Sequence, residues 1–214
     1  LNSSWANTIN GYYAANNAEG LYMVDSSGNS ITHSRFFNNQ DTGIWLDTSD
    51  DNIFQSVVSA ANLVGVNVEA SSWNTFTAVD AMNNTSVGIN IYPNVVPEYS
   101  LGNIFLNSVG ANNPYAFYLD DTGYTTVAQS AVGHSGTYDI YVQNGYEEKF
   151  SGNLLTTNSS SCWAGGALNP GFATGCANGG NSDHNLVTGL DVSTAFIGPV
   201  GGDTSNPIDS SGTA

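Results

Sequence analysis

Residues 38–54 read Asn38-Asn39-Gln40-Asp41-Thr42-Gly43-Ile44-Trp45-Leu46-Asp47-Thr48-Ser49-Asp50-Asp51-Asn52-Ile53-Phe54. Three features of this stretch return along the chain. The first is a glycine opening a triplet of strand character: Gly20-Leu21-Tyr22-Met23, Gly43-Ile44-Trp45-Leu46, Gly65-Val66-Asn67-Val68 and Gly88-Ile89-Asn90-Ile91. Two degenerate copies follow, Ala116-Phe117-Tyr118-Leu119 and Asp139-Ile140-Tyr141-Val142. Successive copies are separated by 23, 22, 23, 28 and 23 residues. The second feature opens each unit: Asn7-Thr8-Ile9, Asn29-Ser30-Ile31, Asn52-Ile53-Phe54, Asn74-Thr75-Phe76 and Asn103-Ile104-Phe105. The third is an asparagine turn before the glycine, at Asn16-Asn17, Asn38-Asn39, Asn62, Asn83-Asn84 and Asn112-Asn113.

A unit of about 22 residues holds only two or three short strands and cannot bury its own apolar face, so it must stack on copies of itself. Leucine-rich repeats share this period but need a Leu-rich strand and a helix. Propeller blades need about 40 residues. A parallel β-helix remains, each turn of chain being one rung and the rungs lying ~4.8 Å apart. The repeat N-[IT]-[IF]…A-x-N-N…G-[IV]-x-[IV] resembles the right-handed β-helix proteins of the pectin-lyase-like and NosD-type groups. The resemblance covers about residues 5–155. It implies an all-β fold, a right-handed single-stranded parallel β-helix of about six to seven rungs, ahead of a C-terminal extension. It is nearly silent on activity, because enzymes, adhesins and phage fibres share the architecture.

Alternation within each triplet assigns faces. Leu21, Met23, Ile44, Leu46, Val66, Val68, Ile89, Ile91, Phe117, Leu119, Ile140 and Val142 are expected to point inward as an aliphatic stack. Tyr22, Trp45, Asn67, Asn90, Tyr118 and Tyr141 are expected outward. The turn asparagines should form amide ladders between rungs. The 28-residue step marks an insertion at residues 92–102, whose prolines cannot extend a ladder and predict a protruding loop.

Composition agrees with a secreted, turn-rich β chain. The 214 residues include 28 asparagines and 24 glycines, both tolerant of tight turns. Eighteen acidic side chains face only two basic ones, Arg35 and Lys149, for a formal charge of −16. So few cations exclude nucleic-acid binding and docking on anionic lipid. No apolar run approaches the ~20 residues of a membrane span.

The repeat region is read as residues 1–155, followed by a Gly/Ser/Asn-rich extension over 156–214 with two short apolar strands between 186 and 200. The extension holds the only cysteines, Cys162 and Cys176. An isolated pair in such a chain reads as one disulfide closing a loop, worth ~3 kcal/mol by chain entropy, with metal ligation or free thiols as alternatives.

Candidate chemistry lies one position beyond the outward row. Asp47 and Glu69 fall on adjacent rungs, about 5 Å apart. Carboxylates so placed suit a retaining glycosidase or a Ca²⁺ site, or are solvated turn residues. Asp120 and Asp121 are a further candidate Ca²⁺ pair, although no cofactor is expected. His33, Arg35 and Asp47 share a rung, as an acid–base group or a surface ion pair. The resemblance also brings the uronate-lyase mechanism into view, which needs cations at one place. Arg35 and Lys149 lie about five rungs, or ~24 Å, apart and cannot share a site. The N-T-D, D-D and G-H-G set of polygalacturonases is absent. The outward aromatics Tyr22, Trp45, Tyr118 and Tyr141 are candidate ligand-binding residues: they could stack on sugars, face a protein partner or stiffen the sheet.

These readings favour a non-catalytic extracellular or cell-surface module: structural, adhesive or fibre-forming. Its partners would be copies of itself stacked end to end, or other extracellular proteins. The alternative is a carbohydrate-active enzyme with Asp47 and Glu69 as its acid pair, or a carbohydrate-binding module using the aromatic and acidic face with polysaccharide as partner.

Overall fold

A computed structural model of the chain describes residues 1–94, 99–133, 135–143, 145, 148–156, 163–164 and 186–188. The first turn of chain comprises β1 (Thr8–Asn10), β2 (Tyr13–Ala15) and β3 (Leu21–Val24). The second comprises β4 (Ser30–Thr32), β5 (Arg35–Phe37) and β6 (Thr42–Asp47). In the next two turns the first two strands merge, giving β7 (Ile53–Ala60) with β8 (Val64–Glu69), then β9 (Thr75–Met82) with β10 (Val87–Tyr92). The fifth turn holds β11 (Ser100–Leu101), β12 (Ile104–Leu106), β13 (Val109–Ala111) and β14 (Tyr115–Asp120). The sixth holds β15 (Thr122–Gly123), β16 (Thr126–Ala128), β17 (Ala131–Gly133) and β18 (Tyr138–Gln143). The stack continues through β19 (Lys149–Ser151), β20 (Leu154–Thr156), β21 (Trp163–Ala164) and β22 (Leu186–Thr188).

Every pairing between these strands is parallel, and each strand pairs with its counterpart one turn away. The result is the expected all-β solenoid of about six turns, with no helix among the described residues and so none able to cross a membrane. One seven-stranded sheet runs β3-β6-β8-β10-β14-β18-β21; a thirteen-stranded sheet covers the other two faces. The cysteine pair Cys162 and Cys176, His134 and His184 lie outside the described residues.

The inward columns are filled as the alternation predicts. Ile44, Val66, Ile89 and Phe117 are fully buried in one column, and Leu46, Val68, Ile91 and Leu119 in the next. A third column carries Phe54, Phe76 and Phe105, whose rings stack at 4.8 and 4.4 Å with interplanar angles of 9° and 1°. Each such pair adds about 0.5–1.5 kcal/mol beyond its buried area.

Between the sheets the turns are closed by side-chain ladders. Asn29 donates its backbone N–H and its Nδ2 to Asn52 Oδ1 at 2.9 and 3.1 Å, Asn52 does the same to Asn74, and Asn74 to Asn103. A second column runs Asn39, Asn62, Asn84 and Asn113 at the opposite turn. A serine column runs Ser26, Ser49, Ser71 and Ser100, each backbone N–H bonding the next hydroxyl. These bonds satisfy buried amides that the sheets leave unpaired. The register of Ile104 with Thr126 and of Thr126 with Lys149 carries the first asparagine column on through Thr125 to Glu148. Glu148 is fully buried, accepts a 2.6 Å hydrogen bond from Thr122 Oγ1, and is pushed up to a pKa of about 8 by desolvation.

The repeat glycines answer to space rather than to backbone freedom. A Cβ on Gly43 would meet Ser59 Oγ, Asn62 Nδ2 at 2.7 Å and Gly65 O at 2.8 Å, so the second asparagine ladder needs that volume. Where Ala116 takes the glycine's place, the residue across the interior shrinks from Ser59 and Ala81 of earlier turns to Gly110. A Cβ on Gly110 would lie 3.1 Å from the Cβ of Ala116. Left-handed backbone falls instead in columns at the corners, one of which reads Ala6, Gly28, Asp51, Trp73, Gly102 and Tyr124.

Candidate functional site

The outer face of the seven-stranded sheet gathers four of the candidate residues into one patch. Tyr22 pairs in register with Trp45, and Asp47 with Glu69. The Tyr22 hydroxyl donates to Asp47 Oδ2 at 3.0 Å, and Thr48 Oγ1 donates to Asp47 Oδ1 at 3.0 Å. Trp45 Nε1 donates to Glu69 Oε2 at 2.9 Å. The Tyr92 hydroxyl donates to the same oxygen at 2.9 Å and accepts from Asn67 Nδ2 at 3.1 Å. Asn90 Nδ2 then donates to Asn67 Oδ1 at 2.8 Å. The Glu69 side chain is 9% exposed, with one oxygen held by two neutral donors.

Tyr92 belongs to this array: it stands at the same outward position after its glycine as Asp47 and Glu69 do after theirs, and the insertion, expected to begin with it, begins after it. Tyr92 closes β10 in register with Glu69, and the extra residues follow it. Its position, one rung from Glu69 in the same outward column, is the signal that places it there. Burial, then the neighbouring Glu69, push its hydroxyl up to a pKa of about 12. Burial and the bond to Asp47 also raise the pKa of Tyr22.

Tyr118 and Tyr141 form a separate stack, at 4.9 Å and 18°, with Tyr115 edge-on to both. Three rungs, ~14 Å, separate Tyr118 from Trp45. Burial and the carboxylate of Asp120 push Tyr118 up to about 12. Tyr22 and Trp45 are 4.9 Å apart and tilted by 40°. In both pairs, rings on successive rungs pack against one another, and much of each ring face is spent on its neighbour.

The remaining candidates do not converge. His33 lies at the corner between β4 and β5, with Nδ1 3.3 Å from Asn10 Oδ1, so the expected group with Asp47 does not form. Arg35 and Lys149 are in β5 and β19 of the thirteen-stranded sheet, so neither cation of the chain stands on the patch. Asp120 ends β14, while Asp121 turns the corner at a φ of 48°. Among the described residues no three His, Cys, Asp or Glu side chains gather at one point. The patch therefore offers acceptors, Asp47 and Glu69, braced by aromatic donors, with neither Arg35 nor Lys149 on it. It suits a ligand that donates hydrogen bonds.

A family model described as periplasmic copper-binding protein (NosD) matches residues 1–167. No curated protein matches. Among solved structures, the A-module of the Azotobacter vinelandii mannuronan C-5 epimerase AlgE6 is similar at 10% identity and a TM-score of 0.69, over 96% of this chain and 57% of that one. The chain thus spans little more than half the length of that structure. ORF18 of Geobacillus virus E2 is matched at 11% identity and a TM-score of 0.40, over 67% of this chain and 37% of that one.

Proposed function

The chain belongs to the NosD family of β-helix proteins, and we propose that it is an exported, non-catalytic module that binds polysaccharide along the outer face of its seven-stranded sheet. One observation carries this reading. Glu69 Oε2 takes both the Trp45 indole and the Tyr92 hydroxyl, which orients the carboxylate beside Asp47 as a fixed acceptor for sugar hydroxyls. The rung spacing of ~4.8 Å is close to the length of one pyranose, so a glycan lying along the solenoid axis would meet Asp47 and Glu69 on successive rungs. Affinity electrophoresis through gels cast with different polysaccharides tests this. Retardation should fall in Glu69→Gln and Trp45→Ala while the fold is kept; unchanged retardation in both overturns it.

The copper of the family description does not fit the described solenoid. Copper takes imidazole, thiolate or thioether ligands in groups. Here His33 faces Asn10, Met23 is closed inside the core, and no three His, Cys, Asp or Glu side chains gather among the described residues.

A second reading, a carbohydrate-active enzyme, draws on the in-register pair Asp47 and Glu69. Asp47→Asn separates the two. Hydrolysis or elimination by the wild type that disappears in this variant would favour the enzyme, and binding without turnover favours the module.

A further inference from the structure

Trp73 stands at a corner of the solenoid, between the outer face of the seven-stranded sheet and β9, and is 56% exposed. Its backbone is left-handed, with φ 60°, and Tyr124, two turns further along the same corner, has φ 59°. For a side chain with a Cβ this conformation costs roughly 1–2 kcal/mol. Gly28 and Gly102 occupy the same column without that cost. The buried part of each ring offsets that cost, yet 56% of Trp73 and 43% of Tyr124 stay in contact with water.

The Trp73 ring has a defined seat. An ideal Cβ on Gly102 would meet Cε3, Cζ3 and, at 2.9 Å, the bridgehead Cδ2 of the indole. An approach within the ring plane to the Cε3–Cζ3 edge would be held away from Cδ2, so Gly102 lies under the face of the ring. The indole thus covers the buried Gly102, and with that face occupied the 56% of Trp73 that stays exposed lies largely on the other face. This differs from Tyr22 and Trp45, or Tyr118 and Tyr141, which pack on each other. The backbone fixes the seat: Trp73 N–H donates to Leu101 O at 2.8 Å, and Gly102 N–H to Gly123 O at 2.8 Å.

The groups at this corner are polar and aromatic. Asp51 holds the same corner one turn earlier, and Asp50 Oδ1 accepts the Ser72 N–H at 2.7 Å. Ser72 Oγ donates to the carbonyl of Tyr99, which brings that exposed tyrosine to the corner. A protein interface is depleted of charge at its centre, and Asp50 and Asp51 at this corner run against that. A flat open ring rimmed by carboxylate and hydroxyl groups matches a pyranose, with its C–H face on the indole and its hydroxyls on the rim. The carboxylates and the net charge of −16 disfavour uronates.

We propose that the corner formed by Trp73, Gly102 and Tyr124 is a second binding site, for neutral polysaccharide, separate from the outer face of the seven-stranded sheet. Affinity electrophoresis of the full chain tests it, in gels containing laminarin, hydroxyethylcellulose or xyloglucan as neutral probes and alginate or polygalacturonate as anionic ones. A neutral polymer should retard the wild type, and Trp73→Ala should weaken that retardation about tenfold, the equivalent of about 1.4 kcal/mol. Trp73→Gly, which suits the left-handed backbone, should give the same loss with the near-ultraviolet spectrum otherwise kept. Loss in the Trp73 variants but in neither Glu69→Gln nor Trp45→Ala would support this site while the sheet-face reading fails; the reverse pattern would overturn this site alone. Equal retardation of wild type and Trp73→Ala, no retardation by any neutral polymer, or stronger retardation by alginate also overturns it.

Discussion

Asn74 Oδ1 receives two hydrogen bonds from Asn52, one from the backbone N–H at 2.9 Å and one from Nδ2 at 3.1 Å. Asn74 passes the same pair on to Asn103 at 3.0 and 3.2 Å, and its Nδ2 also reaches Ser49 O at 3.0 Å. A turn that would otherwise bury unpaired amides is thus closed by one side chain per rung.

Asn74→Ala strands the Asn52 donors and the Ser49 carbonyl in the interior. Each buried group left unsatisfied costs about 1–3 kcal/mol, so urea denaturation should show a loss of about 2–5 kcal/mol. Asn10→Ala removes exposed bonds to Thr32 and His33 and should cost below about 1 kcal/mol. Equal losses in the two variants would show that the ladder is not what holds the turn.

Gly43→Ala should destabilise by about 1–3 kcal/mol through overpacking against Ser59, Asn62 and Gly65. Ser59→Gly clears one of those three contacts, as Gly110 does opposite Ala116. The double variant should therefore be more stable than the sum of the single losses by about 1 kcal/mol. Additive losses in a double-mutant cycle would exclude this steric coupling.

Much of this was legible in the sequence because the ladders and inward columns repeat the same residue type on each rung. Asn52, Asn74 and Asn103, or Ile44, Val66 and Ile89, announce one role by one chemistry. Legibility fails where the fold keeps a role and changes the residue. Glu148 continues the asparagine column, yet nothing in its type marks it as buried. The left-handed corners accept Ala6, Asp51, Trp73 and Tyr124 against local preference, because bonds between rungs override it. At the candidate site, Asp47, Glu69, Tyr22 and Trp45 could be placed from register alone. The bonds linking Glu69 to Trp45 and Tyr92 depend on side-chain reach, which spacing does not encode.

Glu148 should make stability fall as pH rises. Its folded pKa is about 8 against an ordinary 4.5, raised by burial. Between those values the folded chain holds a proton that the unfolded chain has lost, so stability is full below pH 4.5 and declines until pH passes about 8. The decline should reach a few kcal/mol in order of magnitude. Glu148→Gln should flatten the melting temperature across this window and be the more stable form at alkaline pH. A wild-type melting temperature that does not fall across the window more steeply than that of Glu148→Gln would refute the assignment.

Glu69 offers the sharpest separation of shape from charge. Glu69→Ala leaves the Trp45 indole N–H and the Tyr92 hydroxyl without their acceptor and should cost about 2–4 kcal/mol, since both donors are shielded by the array. Glu69→Gln keeps an acceptor oxygen in the same place and should cost less than half as much. It also removes the negative charge beside Tyr92, which burial first and Glu69 second hold at about 12. The Tyr92 hydroxyl should therefore titrate at lower pH in Glu69→Gln, visible as an earlier tyrosinate step in the ultraviolet difference titration against wild type. If the alanine and glutamine variants are equally unstable, the carboxylate charge braces the array. If they differ while the tyrosinate step stays put, the Tyr92–Glu69 bond does not form in solution, and the fixed acceptor on which glycan binding at this face depends is absent.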